Sequence, residues 1–143
     1  MRDPVAAEDV TLVSDPLLLR EARRRLTRRI LEAGFAPGDA RDLAIAFSEA
    51  CANVHRHAYR GSVDGRIGLR VLLDDERIVV TLEHDGEPFN PASYKPPRLD
   101  RPSESGYGMY LVAALVDEAS FERTPTGGRI VLAKRCQRVG AGL

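Results

Sequence analysis

The first half of the chain combines one strand-like stretch with two long segments of helical periodicity. Residues 8–13 are a strand candidate, and residues 14–16, Ser-Asp-Pro, then provide capping oxygens and a proline suited to a first helical turn. Apolar residues recur every three or four positions over 17–33, where Gly34 ends the pattern, and again over 37–59. We therefore predict a short strand followed by two amphipathic helices.

Beyond residue 65 the pattern changes to the alternation that is typical of half-buried strands. Apolar and polar residues alternate over 66–73 and over 78–82, and Asp74-Asp75 between them predicts a hairpin. Residues 119–123 and 129–135 are two further strand candidates. Because strands joined by tight turns pair antiparallel, the predicted sheet is mostly antiparallel.

A proline-rich stretch separates the two pairs of predicted strands. Residues 91–105 read "PASYKPPRLDRPSES" and show no periodicity, which predicts a long loop. Helical spacing resumes over 106–118, and residues 137–143 are predicted to form a frayed tail. The remaining helices are too few to cover both faces of a sheet. We therefore predict a single α+β domain over 1–143, a two-layer α/β sandwich whose mixed, mostly antiparallel sheet carries helices on one face.

Composition excludes several classes of partner. The 143 residues contain 21 Lys+Arg and 21 Asp+Glu, so net charge attracts neither nucleic acid nor an anionic membrane. The basic run Arg23–Arg29 lacks the further basic clusters and interleaved aromatics of a nucleic-acid surface, which favours a solvated helix face. No leader-like stretch and no run near the ~20 apolar residues of a membrane span is present. We expect a cytoplasmic protein without nucleic-acid or membrane partners, with Cys51 and Cys136 as free thiols.

The first stretch with chemical potential is "SEACANVHRHAY", at the end of the second predicted helix. At 3.6 residues per turn, Glu49 and Asn53 lie one turn apart, with His57 a turn further, on a stripe turned away from the apolar face. One interpretation is an exposed face with i,i+4 polar contacts. The other is a ligand site, since an amide oxygen suits Mg²⁺ and a carboxylate can orient or deprotonate a hydroxyl group.

Two further stretches contain glycine where a strand or helix meets a loop. The strand that ends in "HDGEPF" breaks at His84, Asp85 and Gly86, in a turn that the strand itself does not need. The segment "SGYGM", Ser105–Met109, places two glycines before a helix, where free backbone N–H groups favour an anion. Such a pair is also compatible with an ordinary N-terminal turn.

Taken in order, these stretches and "TGGRIVL" near the end resemble the GHKL ATPase (Bergerat) fold over nearly the whole chain. More narrowly, "EACANVHRHAY", "HDGEPFNP" and "GYGMYLVAALVDE" are similar to the anti-sigma-factor serine/threonine kinases of the RsbW and SpoIIAB type. The resemblance implies a kinase that uses ATP and Mg²⁺. Its implied partners are a sigma factor, which it sequesters, and a STAS-domain antagonist, which it phosphorylates on serine or threonine; a homodimer is a further expectation.

The resemblance also implies roles for individual residues. Asn53 would bind Mg²⁺ between the phosphates, and Glu49 would act as the general base. Residues 91–105 would form an ATP lid. His57, Ala58 and Tyr59 match the end of the family's helix and are interpreted as structural supports. Nucleotide contacts are implied for the acidic-glycine turn and the glycine-rich segment, that is, for His84, Asp85, Gly86, Ser105, Gly106, Tyr107, Gly108 and Met109.

One position departs from the family pattern. Relatives usually carry Asp-x-Gly-x-x-Phe, in which the Asp accepts a hydrogen bond from the adenine amino group, and here His84 occupies that place. Strand alternation puts His84 on the side of the buried strand residues and Asp85 on the other, unless the strand bulges. A neutral imidazole can still accept one hydrogen bond, at a loss of about 1–2 kcal/mol or roughly tenfold in affinity.

The sequence thus supports two functions of different classes. The first is an anti-sigma-factor-like serine kinase, favoured by the retained Glu49, Asn53, Gly106 and Gly108. The second is a nucleotide-impaired binding module that keeps the fold and acts by partner sequestration only, because His84 weakens ATP binding.

Overall fold

The structure, a computed structural model, describes residues 6–88 and 112–139 of the chain. The predicted lid at 91–105, the glycine-rich segment at 105–109 and the last four residues lie outside the described residues.

The described elements follow the predicted order closely. Two α-helices and one turn of π-helix lie between the first two of five strands; the elements are β1 (Ala6–Val13), α1 (Pro16–Glu32), α2 (Pro37–Asn53), the π turn (Val54–Ala58), β2 (Arg66–Leu73), β3 (Arg77–His84), β4 (Glu118–Thr124) and β5 (Gly127–Arg135). Residues 112–115 are also helical. The predicted third helix was too long at its C-terminal end, because Glu118 begins β4 and pairs with Ala133 of β5.

The five strands form one sheet in the order β1-β2-β3-β5-β4, and every pairing is antiparallel. This confirms the predicted α+β sandwich and corrects one detail, since no parallel pair occurs among the described strands. Strand β3 lies at the centre, between β2 and β5. Its last residue, His84, is paired with Ile67 on one side and with Gly128 on the other.

The core lies between the helices and one face of the sheet. Asp15 begins α1 by accepting hydrogen bonds from the backbone N–H groups of Leu17 (2.8 Å) and Leu18 (3.4 Å), as its place before Pro16 predicted. Burial of the apolar stripes is the main favourable term in such a fold. The side chains that fill the core include Leu19, Ala22, Leu26, Ile30, Phe35, Leu43, Phe47, Ala50, Val54, Ile67, Leu69, Val71, Leu73, Ile78, Val80, Leu82, Ile130 and Leu132.

The other face of the sheet is crossed by ion pairs between neighbouring strands. Arg70 of β2 contacts Asp9 of β1 at 2.9 Å, and Arg129 of β5 contacts Glu83 at 3.1 Å and Glu122 at 3.2 Å. All five side chains are substantially exposed, so each pair contributes little to stability. No described helix packs on this face, which agrees with the predicted two-layer arrangement.

The chain end departs from the prediction of a frayed tail over 137–143. The Gln137 carbonyl accepts a hydrogen bond from the Ala36 N–H at 2.9 Å, and the Val139 N–H donates to the Gly34 carbonyl at 2.7 Å. Residues 137–139 are therefore held against the loop between α1 and α2. The pattern could not indicate this, because the partners are far apart in sequence.

Both cysteines are buried free thiols, as predicted. Burial raises the pKa of each, that of Cys136 to about 12, so both remain protonated at neutral pH. None of the helices in the described ranges is long and apolar enough to cross a bilayer.

The packing of Gly127 yields a stability prediction. A Cβ atom at this residue would overlap the His84 carbonyl oxygen and lie 2.7 Å from the Asp85 Cα atom. Gly68, a strand glycine on the open face, offers a matched control, because its nearest neighbour would be 3.9 Å away. We expect Gly127→Ala to lower the free energy of unfolding by about 1–3 kcal/mol, while Gly68→Ala leaves it unchanged or raises it by up to about 1 kcal/mol. Urea denaturation measures both; equal effects would contradict the packing argument.

Candidate functional site

The site begins at the junction of α2 with the π turn. Glu49 is half-buried and Asn53, four residues later, is only 7% exposed. His57, a turn further along, is exposed. The helix type changes between Asn53 and His57, since the Tyr59 N–H donates to the Val54 carbonyl at 3.0 Å, five residues back. A wider turn shifts the phase of the following side chains, and such π turns occur frequently at functional sites.

Asn53 alone provides only part of the coordination that a metal ion needs. Its buried side chain presents one neutral amide oxygen, a type of ligand that Mg²⁺ accepts. Within residues 6–88 and 112–139, no group of three or more His, Cys, Asp or Glu side chains could hold a metal ion. Mg²⁺ commonly binds one or two protein groups together with waters and substrate phosphates, and a single amide oxygen fits that pattern.

The second part of the site is the end of β3. His84 is 7% exposed and lies on the same side of the strand as Ile78, Val80 and Leu82, whereas Asp85 is exposed. The pairing of β3 with both neighbouring strands continues without a bulge to His84. The orientation therefore follows the parity expected from the sequence.

His84 fits its position because the facing residue of β5 is a glycine. A Cβ atom at Gly128 would lie 2.6 Å from the His84 Nε2 atom and 2.8 Å from Cε1. Gly128 was not among the residues that we predicted for the site. Its signal was present in "TGGRIVL", but sequence spacing alone could not indicate which side chain lies against this glycine.

The imidazole ring of His84 has a nitrogen atom that makes no hydrogen bond within the described residues. Its Nδ1 atom is buried without a hydrogen-bond partner among the described residues. Burial lowers the pKa of His84 below its usual 6.5; the Asp85 charge and the Gly86 backbone oppose this shift without reversing it. The ring is therefore neutral at pH 7, with an unused polar atom. Buried polar atoms of this kind are uncommon, and they are candidates for ligand contact.

Tyr59 holds Asp85 on the outer side of the turn. Its hydroxyl group lies 2.8 Å from the Asp85 Oδ1 atom, accepts the Asp85 N–H at 3.2 Å and also contacts the Arg66 carbonyl oxygen. Its ring meets the ring of His84 edge-on, with centroids 6.1 Å apart. Burial, followed by the Asp85 carboxylate, raises the pKa of Tyr59 to about 12. Tyr59 thus lies between His84, which faces inward, and Asp85, which faces outward.

A hydrogen bond and an ion pair connect the turn after β3 to the end of the π turn and the residues that follow it. The Glu87 N–H donates to the Ala58 carbonyl oxygen at 3.1 Å, and the Glu87 carboxylate meets Arg60 at 3.0 Å. Gly86 permits this approach, because a Cβ atom there would overlap the Ala58 backbone. The helix that carries Glu49 and the strand that ends at His84 therefore meet at one place. The other predicted binding residues, Ser105, Gly106, Tyr107, Gly108 and Met109, lie outside the described residues.

The chain matches one family over most of its length. The model of the histidine kinase-like ATPase domain matches residues 12–134. A crystal structure of the RsbU and RsbW domains of Rv1364c from Mycobacterium tuberculosis superposes with a TM-score of 0.70 at 24% identity, covering 96% of this chain and 34% of that one. That likeness supports the fold.

Relatives named serine-protein kinase RsbW occur in several Bacillus species. The protein from Bacillus mycoides (strain KBAB4) is 30% identical over 146 aligned residues, which cover 96% of this chain and 84% of the relative. The one from Bacillus licheniformis is 33% identical over 97 residues, and the match spans 62% of this chain and 61% of that protein's length. The chain belongs to the histidine kinase-like ATPase family and, within it, to the RsbW group of serine-protein kinases.

Proposed function

We propose that this protein is an ATP-dependent serine/threonine kinase that phosphorylates a STAS-domain antagonist and sequesters a sigma factor. The observation that carries the proposal is the junction of α2 with the end of β3, fastened by the hydrogen bond between Glu87 and Ala58. This contact joins the helix of Glu49 and Asn53 to the strand end of His84. A carboxylate, an amide oxygen and a neutral imidazole then belong to one rigid unit.

Asn53 would be the protein's ligand for Mg²⁺ at the phosphates of ATP. The amide oxygen is neutral, so it binds the ion without adding charge repulsion against the phosphates. Mg²⁺, when bound, would neutralise charge that develops on the transferred phosphoryl group. The burial of Asn53 fixes the position of this oxygen, because a packed side chain has few alternative rotamers.

Glu49 would orient the incoming hydroxyl group and accept its proton. It lies four residues before Asn53 in the regular part of α2, so the two side chains project from one helix face. Its partial exposure leaves the carboxylate accessible to a protein substrate. Phosphoryl transfer relies mainly on positioning and electrostatics, which a base fixed next to the metal ligand would provide.

At the base-binding end, His84 would face adenine and Asp85 would not. The neutral ring of His84 has an unused Nδ1 atom, whereas the Asp85 carboxylate is bound by the Tyr59 hydroxyl. Gly86 would serve the site mainly by letting the turn pack on Ala58. The remaining binding residues, Ser105–Met109, would contact the phosphates, as the resemblance implies.

The sigma factor and the STAS-domain antagonist are proposed from the resemblance to the anti-sigma-factor kinases, and the kinase activity agrees with the relatives' name, serine-protein kinase. A kinase of this group would act on a serine or threonine of its antagonist, and a homodimer remains part of the proposal.

The roles of Asn53 and Glu49 can be separated experimentally. We expect Asn53→Ala to abolish Mg-dependent ATP binding, because it removes the metal ligand. We expect Glu49→Gln to retain binding and to lose about 10²–10⁴-fold in phosphoryl transfer, because it removes the base. Calorimetry with Mg-ATP measures binding, and transfer of labelled phosphate to a STAS-domain substrate measures activity. Asp42→Asn, at a half-buried carboxylate earlier in α2, is the control and should preserve both. Equal loss of ATP binding in the two site variants would contradict this division of roles.

The pH dependence of ATP binding tests the role of His84. Its folded-state pKa is lowered, so the ring stays neutral until the pH falls below about 6.5; protonation would then place a donor against the adenine amino group. We expect ATP binding to weaken in that acidic range. His84→Asp should tighten ATP binding roughly tenfold and remove this dependence. Measuring both proteins at each pH cancels the protonation of ATP itself.

Asp85→Ala provides the matched comparison for His84. We expect it to change ATP affinity little, because Tyr59 already holds that carboxylate outside the site. If Asp85→Ala destroyed binding while His84→Asp had no effect, Asp85 would be the adenine contact. If neither the wild-type protein nor His84→Asp bound ATP at millimolar concentration, the kinase would be refuted in favour of a partner-binding module.

A further inference from the structure

We propose that His84 makes the nucleotide site accept purines with either an amino or a carbonyl group at position 6, so that 6-oxopurine nucleoside triphosphates bind nearly as well as ATP. The inference rests on the proposed function and concerns the base specificity of the same site. Its basis is the buried Nδ1 atom, which has no hydrogen-bond partner among the described residues.

A neutral imidazole can present Nδ1 in two ways. When the ring proton is on Nε2, Nδ1 accepts a hydrogen bond, as the amino group of adenine requires. When the proton is on Nδ1, the same atom donates, as the carbonyl group of a 6-oxopurine requires. The ring can therefore satisfy either base without moving, provided that the protein does not fix the tautomer.

Two described groups, the Asp85 charge and the Gly86 backbone, favour the protonated ring of His84, but Nδ1 itself has no hydrogen-bond partner among the described residues. A histidine proton is normally fixed by a carboxylate or carbonyl group on the opposite nitrogen. Here the Nε2 edge lies at Gly128, in the space that a Cβ atom would fill. The nearby carboxylate of Asp85 is on the exposed side and is bound to the Tyr59 hydroxyl, whose ring touches His84 only edge-on.

An aspartate at this position would behave differently. An ionised carboxylate can only accept hydrogen bonds, so it suits the amino group of adenine and opposes a carbonyl oxygen. Buried polar groups that are left unpaired discriminate strongly against the wrong ligand. A histidine in place of the aspartate would thus lower the affinity for ATP and also widen the range of purine bases that bind. The weaker hydrogen bond to adenine explains the lower affinity but not the wider range.

Inosine triphosphate is the appropriate probe, because it replaces the 6-amino group of ATP by a carbonyl group without adding a 2-amino group. The experiment compares the Kd of Mg-ITP with that of Mg-ATP for the intact chain at pH 7.5, by calorimetry. We expect the two Kd values of the wild-type protein to agree within about threefold. His84→Asp should prefer ATP by at least about tenfold.

His84→Asn is the matched control for the aspartate variant. Asn and Asp have the same shape, but the amide group can donate as well as accept. We expect His84→Asn to bind ATP and ITP within about threefold of each other, as the wild-type protein does. Circular dichroism and urea denaturation identify any variant that fails to fold; the comparison of ATP with ITP on the wild-type protein stands independently of both variants.

The outcomes separate this inference from the proposed function. ATP binding by the wild-type protein with ITP rejected by tenfold or more would overturn the inference and leave the kinase intact. Equal discrimination by His84→Asp and His84→Asn would overturn it as well, since donor ability would then be irrelevant. Failure of both the wild-type protein and His84→Asp to bind ATP would overturn the proposed function and the inference together.

Discussion

The candidate site depends on one close contact, the packing of the turn after β3 against the carbonyl end of the π turn. The Ala58 carbonyl oxygen accepts the Glu87 N–H, and Gly86 lies too close to Ala58 for any side chain. The widened last turn of the helix provides this carbonyl group. Carbonyl groups in the last turn of a helix have no partner within the helix, so this one can accept the Glu87 N–H. The geometry that joins Asn53 to His84 therefore depends on the helical segment ending at Ala58.

Much of the architecture could be predicted from periodicity. The alternation in β2 and β3 and the apolar stripe of α1 fixed both the elements and their buried faces, including the inward orientation of His84. The π turn could not be predicted in this way, because propensities do not distinguish it from a continuing α-helix. The helix was consequently expected to continue without change through His57, whereas the π turn begins at Val54. The order of residues 137–139 was also not predicted, because hydrogen bonds to distant residues such as Ala36 leave no periodic signal in the sequence.

The site itself was predictable as a set of motifs but not as a set of contacts. The residues that position His84 are Gly128 and Tyr59, one on β5 and one after the π turn. Gly128 has no pattern that would mark it as functional, and Tyr59 was expected only as a structural support. Tyr59 acts by binding the neighbour of His84, and Gly128 acts by having no side chain. Such roles depend on proximity in space, which spacing along the chain does not contain.

The position of β1 has a consequence for the order of folding. Strands β1 and β4 are the two edges of the sheet; β4 is joined to β5 by a tight turn, whereas Val13 of β1 pairs with Arg66, with both helices between them. Closing so long a loop has an entropic cost that must be met before the pairing gives any stability. Of the two edge strands, we therefore expect β1 to leave the sheet first. Its departure would expose the edge of β2 and loosen α1, so that partial unfolding of this domain begins at its N-terminal strand.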